Sequence, residues 1–185
     1  MVYNFHQFTH TIHKQLVSEG RHILYKNWQK WGSMYLTQKE LSVLNDLKTQ
    51  EQNCIEKYTK YAELAADEEL KELFLALKQD EQKHFESLRQ VLAGTVPSCD
   101  CNDTKGRDYA PKGTYKGKAD SQQKQSDCFL ATDSIGTEKL VSTEYNFDVF
   151  AADNTDIRKL LADIQIEEQN HAEMLYKYKK ENQMV

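Results

Sequence analysis

The sequence predicts an all-α fold: an antiparallel four-helix bundle made of two αα-hairpins joined by a long crossover, with an N-terminal helical extension. Three features predict it. Apolar residues step by three and four over long stretches, which is the helical period. The chain matches itself without a gap at a shift of 87 residues. Both prolines, Pro97 and Pro111, fall with Gly106, Gly113 and Gly117 inside one stretch, which reads as a single irregular connection.

The extension covers residues 1–36. His6, His10 and His13 share a helical face there; incidental histidines are the default reading and a second metal site the alternative. Trp28 and Trp31 are placed to dock this segment on the bundle or on another subunit. Thr37-Gln38-Lys39-Glu40 is a capping box that opens a helix at about 38–65. Leu44, Leu47, Glu51, Cys54, Tyr58, Tyr61 and Ala65 are in phase on it. Asp67 reads as the N-cap of a second helix, with Glu68 and Glu69 favouring the dipole in its first turn. Leu70, Leu73, Leu77, Glu81, His84, Leu88 and Val91 share its stripe, and Gly94 is a natural C′ residue.

The crossover, about 95–130, is long for a compact domain and calls for a reason. Its Cys99, Cys101 and Cys128 lack a fourth nearby ligand, so thiols without metal are the default there. The second hairpin, about 131–181, follows from the self-match. Glu51 falls on Glu138, Cys54 on Val141, Tyr58 on Tyr145, Ala65 on Ala152 and the cap Asp67 on Asn154. Leu70, Leu73 and Leu77 fall on Ile157, Leu160 and Ile164, and Glu81 and His84 on Glu168 and His171. The bundle thus spans 37–181.

Composition limits what such a bundle does. A chain of 185 residues, 39% hydrophobic and 29% charged, is long enough for one domain with a real core. Its longest apolar run, from Leu73 to Leu77, is far short of the ~20 residues of a membrane span. The start MVYNFHQFTH lacks a basic-then-apolar pattern, so secretion by that route is not expected. A formal net charge of −5 argues against nucleic acid as partner. Four cysteines without a Cys-x-x-Cys pair point to a reducing, cytoplasmic compartment.

The chemistry lies in two matched segments, DEQKHFESL (80–88) and EEQNHAEML (167–175). Each carries Glu-x-x-His on an otherwise Leu- and Ile-rich stripe, and each has a glutamate 30 residues before its own. Glu51 lies 16 residues before the Asp67 cap and Glu81 lies 14 after it. At ~1.5 Å per residue the two sit within roughly 3 Å along antiparallel axes, and the same counts hold around Asn154. Asp80 and Glu167 sit about 100° off the stripe and are excluded as ligands. Four glutamates and two histidines therefore converge at one level. A buried carboxylate must be protonated, paired or bound to metal. Four carboxylates neutralise two divalent cations, and one Glu from each of two helices with Glu-x-x-His from the other two is the donor set of di-iron and di-manganese bundles. The predicted metal ligands are Glu51, Glu81, His84, Glu138, Glu168 and His171, with Glu81 and Glu168 bridging. A single Glu-x-x-His is commonplace; two in register are not, and the competing reading is a repeat that kept the fold and lost the metal. Tyr58 and Tyr145 each follow a ligand glutamate by seven; they read as hydroxyl partners of ligand carboxylates, with a catalytic part in passing electrons or protons as one reading and plain core packing as the slightly favoured other. Cys54 reads as a small buried hydrophobe.

Over residues 37–181, Glu51, Glu81-Gln82-Lys83-His84, Glu138 and Glu168-Gln169-Asn170-His171 resemble the ferritin-like superfamily, nearest to rubrerythrin- and bacterioferritin-like sites. Rubrerythrins often add a glutamate where this chain has Val141, and they append a rubredoxin with two Cys-x-x-Cys knuckles that is missing here. The texture of 36–88 is similar to the spore coat protein F-like branch, which implies a spore-forming bacterium and a coat location. The leading expectation is a redox protein with two Fe or Mn ions some 3–4 Å apart, acting on peroxide, dioxygen or Fe(II) as a peroxidase, catalase-like enzyme or ferroxidase. Its alternative is a structural spore-coat-type protein without catalysis. Iron storage is disfavoured, since nothing after the fourth helix resembles a fifth. Expected partners are the oxidant or the metal ion, with a homodimer left open and no nucleic acid or membrane.

Overall fold

The computed structural model describes residues 36–99 and 103–185, and these are all-helical, with no strand among them. The expected N-terminal extension, with His6, His10, His13, Trp28 and Trp31, lies outside the described residues, as does Cys101. The helices are α1 (Gln38–Leu64), α2 (Glu68–Leu92), the short α3 (Lys105–Asp108), α4 (Gln122–Asp148), which runs into a 3₁₀ turn (Val149–Ala151), and α5 (Thr155–Glu181). No helix among the described residues is long and apolar enough to cross a membrane.

Local chemistry sets the ends. Thr37 and Glu40 form the reciprocal capping box, the Glu40 carboxylate accepting from the Thr37 backbone N–H at 2.7 Å. Glu40 also accepts from Asp153 N–H at 3.0 Å, so the cap of α1 fastens the turn before α5. Asp67 and Asn154, 87 positions apart, each cap the second helix of their pair. Ala65 and Ala152 close the segments before them. Gly94 takes φ +93° just past α2, the left-handed conformation a C′ residue needs.

Two helix pairs result. In α1–α2, Tyr61 packs on Phe74 with ring centroids 5.7 Å apart and Glu51 lies 3.6 Å from His84, so the two helices run antiparallel. In α4–α5, the Ser142 hydroxyl donates to the Gln165 carbonyl across the pair. Apolar rows on these helices are buried, among them Leu44, Leu47, Leu70, Leu77, Leu88, Leu130, Val141, Ile157, Ile164 and Leu175. Polar ties join the pairs at their exposed margin: the Lys57 ammonium lies 2.6 Å from Asp133, and Tyr61 donates to that carboxylate at 2.8 Å.

The crossover differs from expectation. Helix α4 begins at Gln122 under a Ser121 cap, nine residues before the expected 131. Its opening turns, Gln122 to Asp127, are polar and read as loop. Asp127 is nevertheless fully buried, because its carboxylate accepts the Ala66 and Asp67 backbone N–H groups at 2.9 Å and the Tyr115 hydroxyl at 2.9 Å. It thereby satisfies the backbone of the α1–α2 link, which explains a buried charge in a polar run. Replacing Asp127 by alanine strands those donors and is expected to lower stability by about 3 kcal/mol in urea unfolding.

The connection itself is pinned. Gly106 N–H donates to Asn170 Oδ1 at 3.1 Å, and Lys177 donates to the Gly106 and Arg107 carbonyls. A Cβ on Gly106 would lie 2.5 Å from Asn170 Oδ1 and 3.0 Å from the Asn170 Cα, so a side chain there would displace Asn170 and crowd the α5 backbone. Further on, Tyr115 N–H donates to Asn182 at 2.7 Å, and the Thr114 and Tyr178 hydroxyls both donate to Asp67. The length of the crossover is thus taken up in contacts with α5 and the α2 cap.

Candidate metal centre

Each of the four long helices contributes to one buried cluster. α1 supplies Glu51, α2 Glu81 and His84, α4 Glu138, and α5 Glu168 and His171, none more than 3% exposed. The i, i+3 spacing in α2 and α5 turns glutamate and histidine to one face. Donor atoms of Glu51, Glu81, His84 and Glu168 all lie within 4.8 Å of one another, and so do those of Glu81, Glu138, Glu168 and His171. The structure brings together all six residues singled out in the sequence. Glu81 and Glu168 belong to both groups.

The histidines are oriented alike. His84 Nδ1 lies 3.1 Å from Glu168, 3.3 Å from Glu81 and 3.6 Å from Glu51. His171 Nδ1 lies 3.2 Å from Glu81, 3.4 Å from Glu138 and 3.5 Å from Glu168. The rings stack with centroids 5.8 Å apart. The far nitrogens face the acids excluded as ligands: His84 Nε2 is 2.7 Å from Glu167, and His171 Nε2 is 3.8 Å from Asp80, too long for a direct hydrogen bond. Neither acid joins a donor group, but each sits against the histidine of the other helix pair. Their offset from the stripe of their own helix pointed them at the neighbouring pair. The signal available was the acid immediately before Glu81 and before Glu168, the same in both segments. The two are not equivalent, for Asp80 is also held at 2.7 Å by both Lys83 and Lys105, the latter from α3.

Electrostatics follow from burial and crowding. Burial and the Glu168 charge push Glu51 well up, and the same two causes push Glu138 up to about 8. Burial and Glu168 also raise Glu81, but His171 and His84 outweigh them and hold it below its ordinary value. Burial opposes ionisation of Glu168 too, yet the same histidines hold it low. Burial disfavours charge on His84 and His171, but the facing carboxylates, Glu167 first for one and Asp80 first for the other, lift both well above the ordinary imidazole range. A cluster of this kind is neutralised by shared protons or by divalent cations.

The donor set tests well against a metal. Glu51 Oε2, Glu81 Oε1, both oxygens of Glu138 and of Glu168 and both ring nitrogens of His171 are buried without a hydrogen-bond partner. Native interiors leave few polar atoms so, and here they converge. The tyrosines differ. Tyr145 donates to Glu51, a carboxylate of the other helix pair rather than its own, whereas the Tyr58 hydroxyl is buried without a partner and its ring stacks on Phe74. Cys54 is buried, and burial with the nearby carboxylates pushes its thiol far up, as suits a packing residue.

No curated protein and no solved structure matches the chain. Residues 126–185 do match a family model, that of the Coat F domain; this span runs from α4 to the end of the chain and carries Glu138, Glu168 and His171, whereas the texture likened to that branch lies in 36–88.

Proposed function

We propose that this chain is a structural protein of the spore coat, and that its helices form a ferritin-like antiparallel four-helix bundle in which two repeated pairs hold two iron or manganese ions. The similarity of residues 126–185 to the Coat F domain carries the coat reading. The expected result is recovery of the protein in the coat extract of purified spores by immunodetection; its confinement to the cytoplasm of growing cells overturns the reading.

The metal reading rests on the unpartnered buried donors. Glu51, Glu81, His84 and Glu168 would hold one ion, and Glu81, Glu138, Glu168 and His171 the other. When bound, iron or manganese supplies one-electron redox chemistry toward peroxide, dioxygen or Fe(II). The chain's own residues prepare the donors. With an ion bound, Glu167 would keep the Nε2 proton of His84 and leave Nδ1, on the carboxylate side, as the donor, and Asp80 stands at the same nitrogen of His171. Tyr145 fixes one oxygen of Glu51 and leaves the other turned to the cluster. Leu77, Leu88, Ile164 and Leu175, all buried, exclude water around it. Glu167→Gln is expected to weaken metal affinity about 10–100-fold by equilibrium dialysis, with helicity unchanged.

A redox enzyme is the second reading, favoured by the donor set alone. Turnover of peroxide by the iron- or manganese-loaded protein, lost in Glu138→Gln, would favour it. A Glu138→Gln protein that no longer assembles into a coat of normal resistance, while the loaded unaltered protein turns nothing over, keeps the metal in a structural role.

A further inference from the structure

One face of α4 has no role in the cluster, and its apolar side chains stay uncovered by the described residues. Phe129, Leu140 and Phe147 are 66%, 56% and 70% exposed. With Gly136 they lie within about 20° of one line along the helix, opposite the buried Glu138. Phe150, 84% exposed, continues the line in the 3₁₀ turn. The other positions flanking this line are Thr132, Asp133, Thr143 and Glu144; of the two charges, Asp133 is already paired with Lys57 and Glu144 is half-buried at the edge.

The spacing is symmetric. Phe129 and Phe147 each lie nine residues from position 138, and Gly136 and Leu140 each lie two from it. A second α4 laid antiparallel across the first, about a two-fold axis at that level, sets Phe129 against Phe147 and Leu140 over Gly136, twice over. That is the self-complementarity an isologous interface requires. Gly136 supports it independently. A glycine within an exposed helix costs about 1 kcal/mol against alanine. A Cβ at Gly136 would meet nothing within 4 Å among the described residues, so they give no reason for it. A leucine from a facing helix gives one. The area suffices as well: the four apolar side chains expose roughly 500 Å² per chain, so a pair buries about 1,000 Å² before any rim is added, where specific interfaces begin.

We infer that the outer face of α4 is a homodimer interface, an antiparallel α4–α4 contact between two copies of this chain with Leu140 seated over Gly136 of the second copy. The contact needs no metal and does not depend on the coat reading. Sedimentation equilibrium of the full chain is expected to give twice 21.6 kDa. Leu140→Glu places an unpaired carboxylate at the centre and is expected to weaken association about 100-fold or more with unchanged helicity, since the residue is outside the core. Cysteine pairs fix the geometry: Phe129→Cys protein mixed with Phe147→Cys protein is expected to cross-link on mild oxidation beyond the unaltered chain. Phe129→Cys alone is expected not to, because its two copies stand about 27 Å apart along the helices. A single-chain mass at every concentration, a dimer indifferent to Leu140→Glu, or equal cross-linking by Phe129→Cys alone overturns the inference.

Discussion

On the proposed two-ion reading, Glu81→Ala is expected to abolish binding of both metal ions. Glu81 is the α2 carboxylate common to the two donor groups, with one oxygen 3.3 Å from His84 Nδ1 and the other 3.2 Å from His171 Nδ1. Its loss takes an anionic donor from each half at once. Loss of an outer partner alone costs about 10–100-fold in affinity, and loss of a shared ligand costs more. Metal content after reconstitution should fall from about two ions per chain to well under one. Glu51→Ala touches one donor group and should leave about one ion per chain. Glu56→Ala, on the exposed side of α1, should change nothing. That graded pattern, read by elemental analysis, separates shared from terminal ligands; a Glu81→Ala protein that keeps both ions refutes the ligand assignment.

Metal-free protein is expected to lose stability as pH rises from about 5 to about 8. Glu138 keeps its proton up to about 8 in the folded chain, against a usual 4.5 when unfolded. Between those values the folded state binds more protons than the unfolded state, so stability is fullest below the lower value and falls as pH climbs to the upper. Glu51, raised by the same burial, acts with the same sign. So do His84 and His171, held above the ordinary 6.5, whose ion pairs are lost as pH rises through their raised values. Glu81 and Glu168 are held low, and their contribution is lost only on the acid side. Urea unfolding of chelated protein should register a decrease on the order of 3 kcal/mol between pH 5 and pH 8. Glu138→Gln should flatten that slope. Added Mn(II) should reverse it, since cations and protons compete for the same atoms and the cation gains as protons leave. A flat or rising profile for the metal-free chain would contradict the proton inventory of the cluster.

Much of this was legible in the sequence because it is encoded locally. The Thr37–Glu40 box, the Asp67 and Asn154 caps and the Gly94 terminus each depend on a few adjacent residues, and each stands where it was read. The six-residue cluster was legible because helical rise and a shared cap convert residue counts into heights, and because the chain presents the pattern twice. The beginning of α4 was not legible. Asp127 looks like loop chemistry until the α1–α2 link is placed beside it with two backbone donors to satisfy.

The sequence by itself determined which residues share a helical face and at what height, since both follow from the fixed geometry of one helix. Tertiary structure alone decided what each face meets. It set Glu167 and Asp80 against the histidines of the opposite pair, gave Tyr145 but not Tyr58 a carboxylate, and left one apolar face of α4 uncovered by the described residues. Those outcomes depend on the rotation and offset of one helix pair against another, which no spacing within a single helix contains.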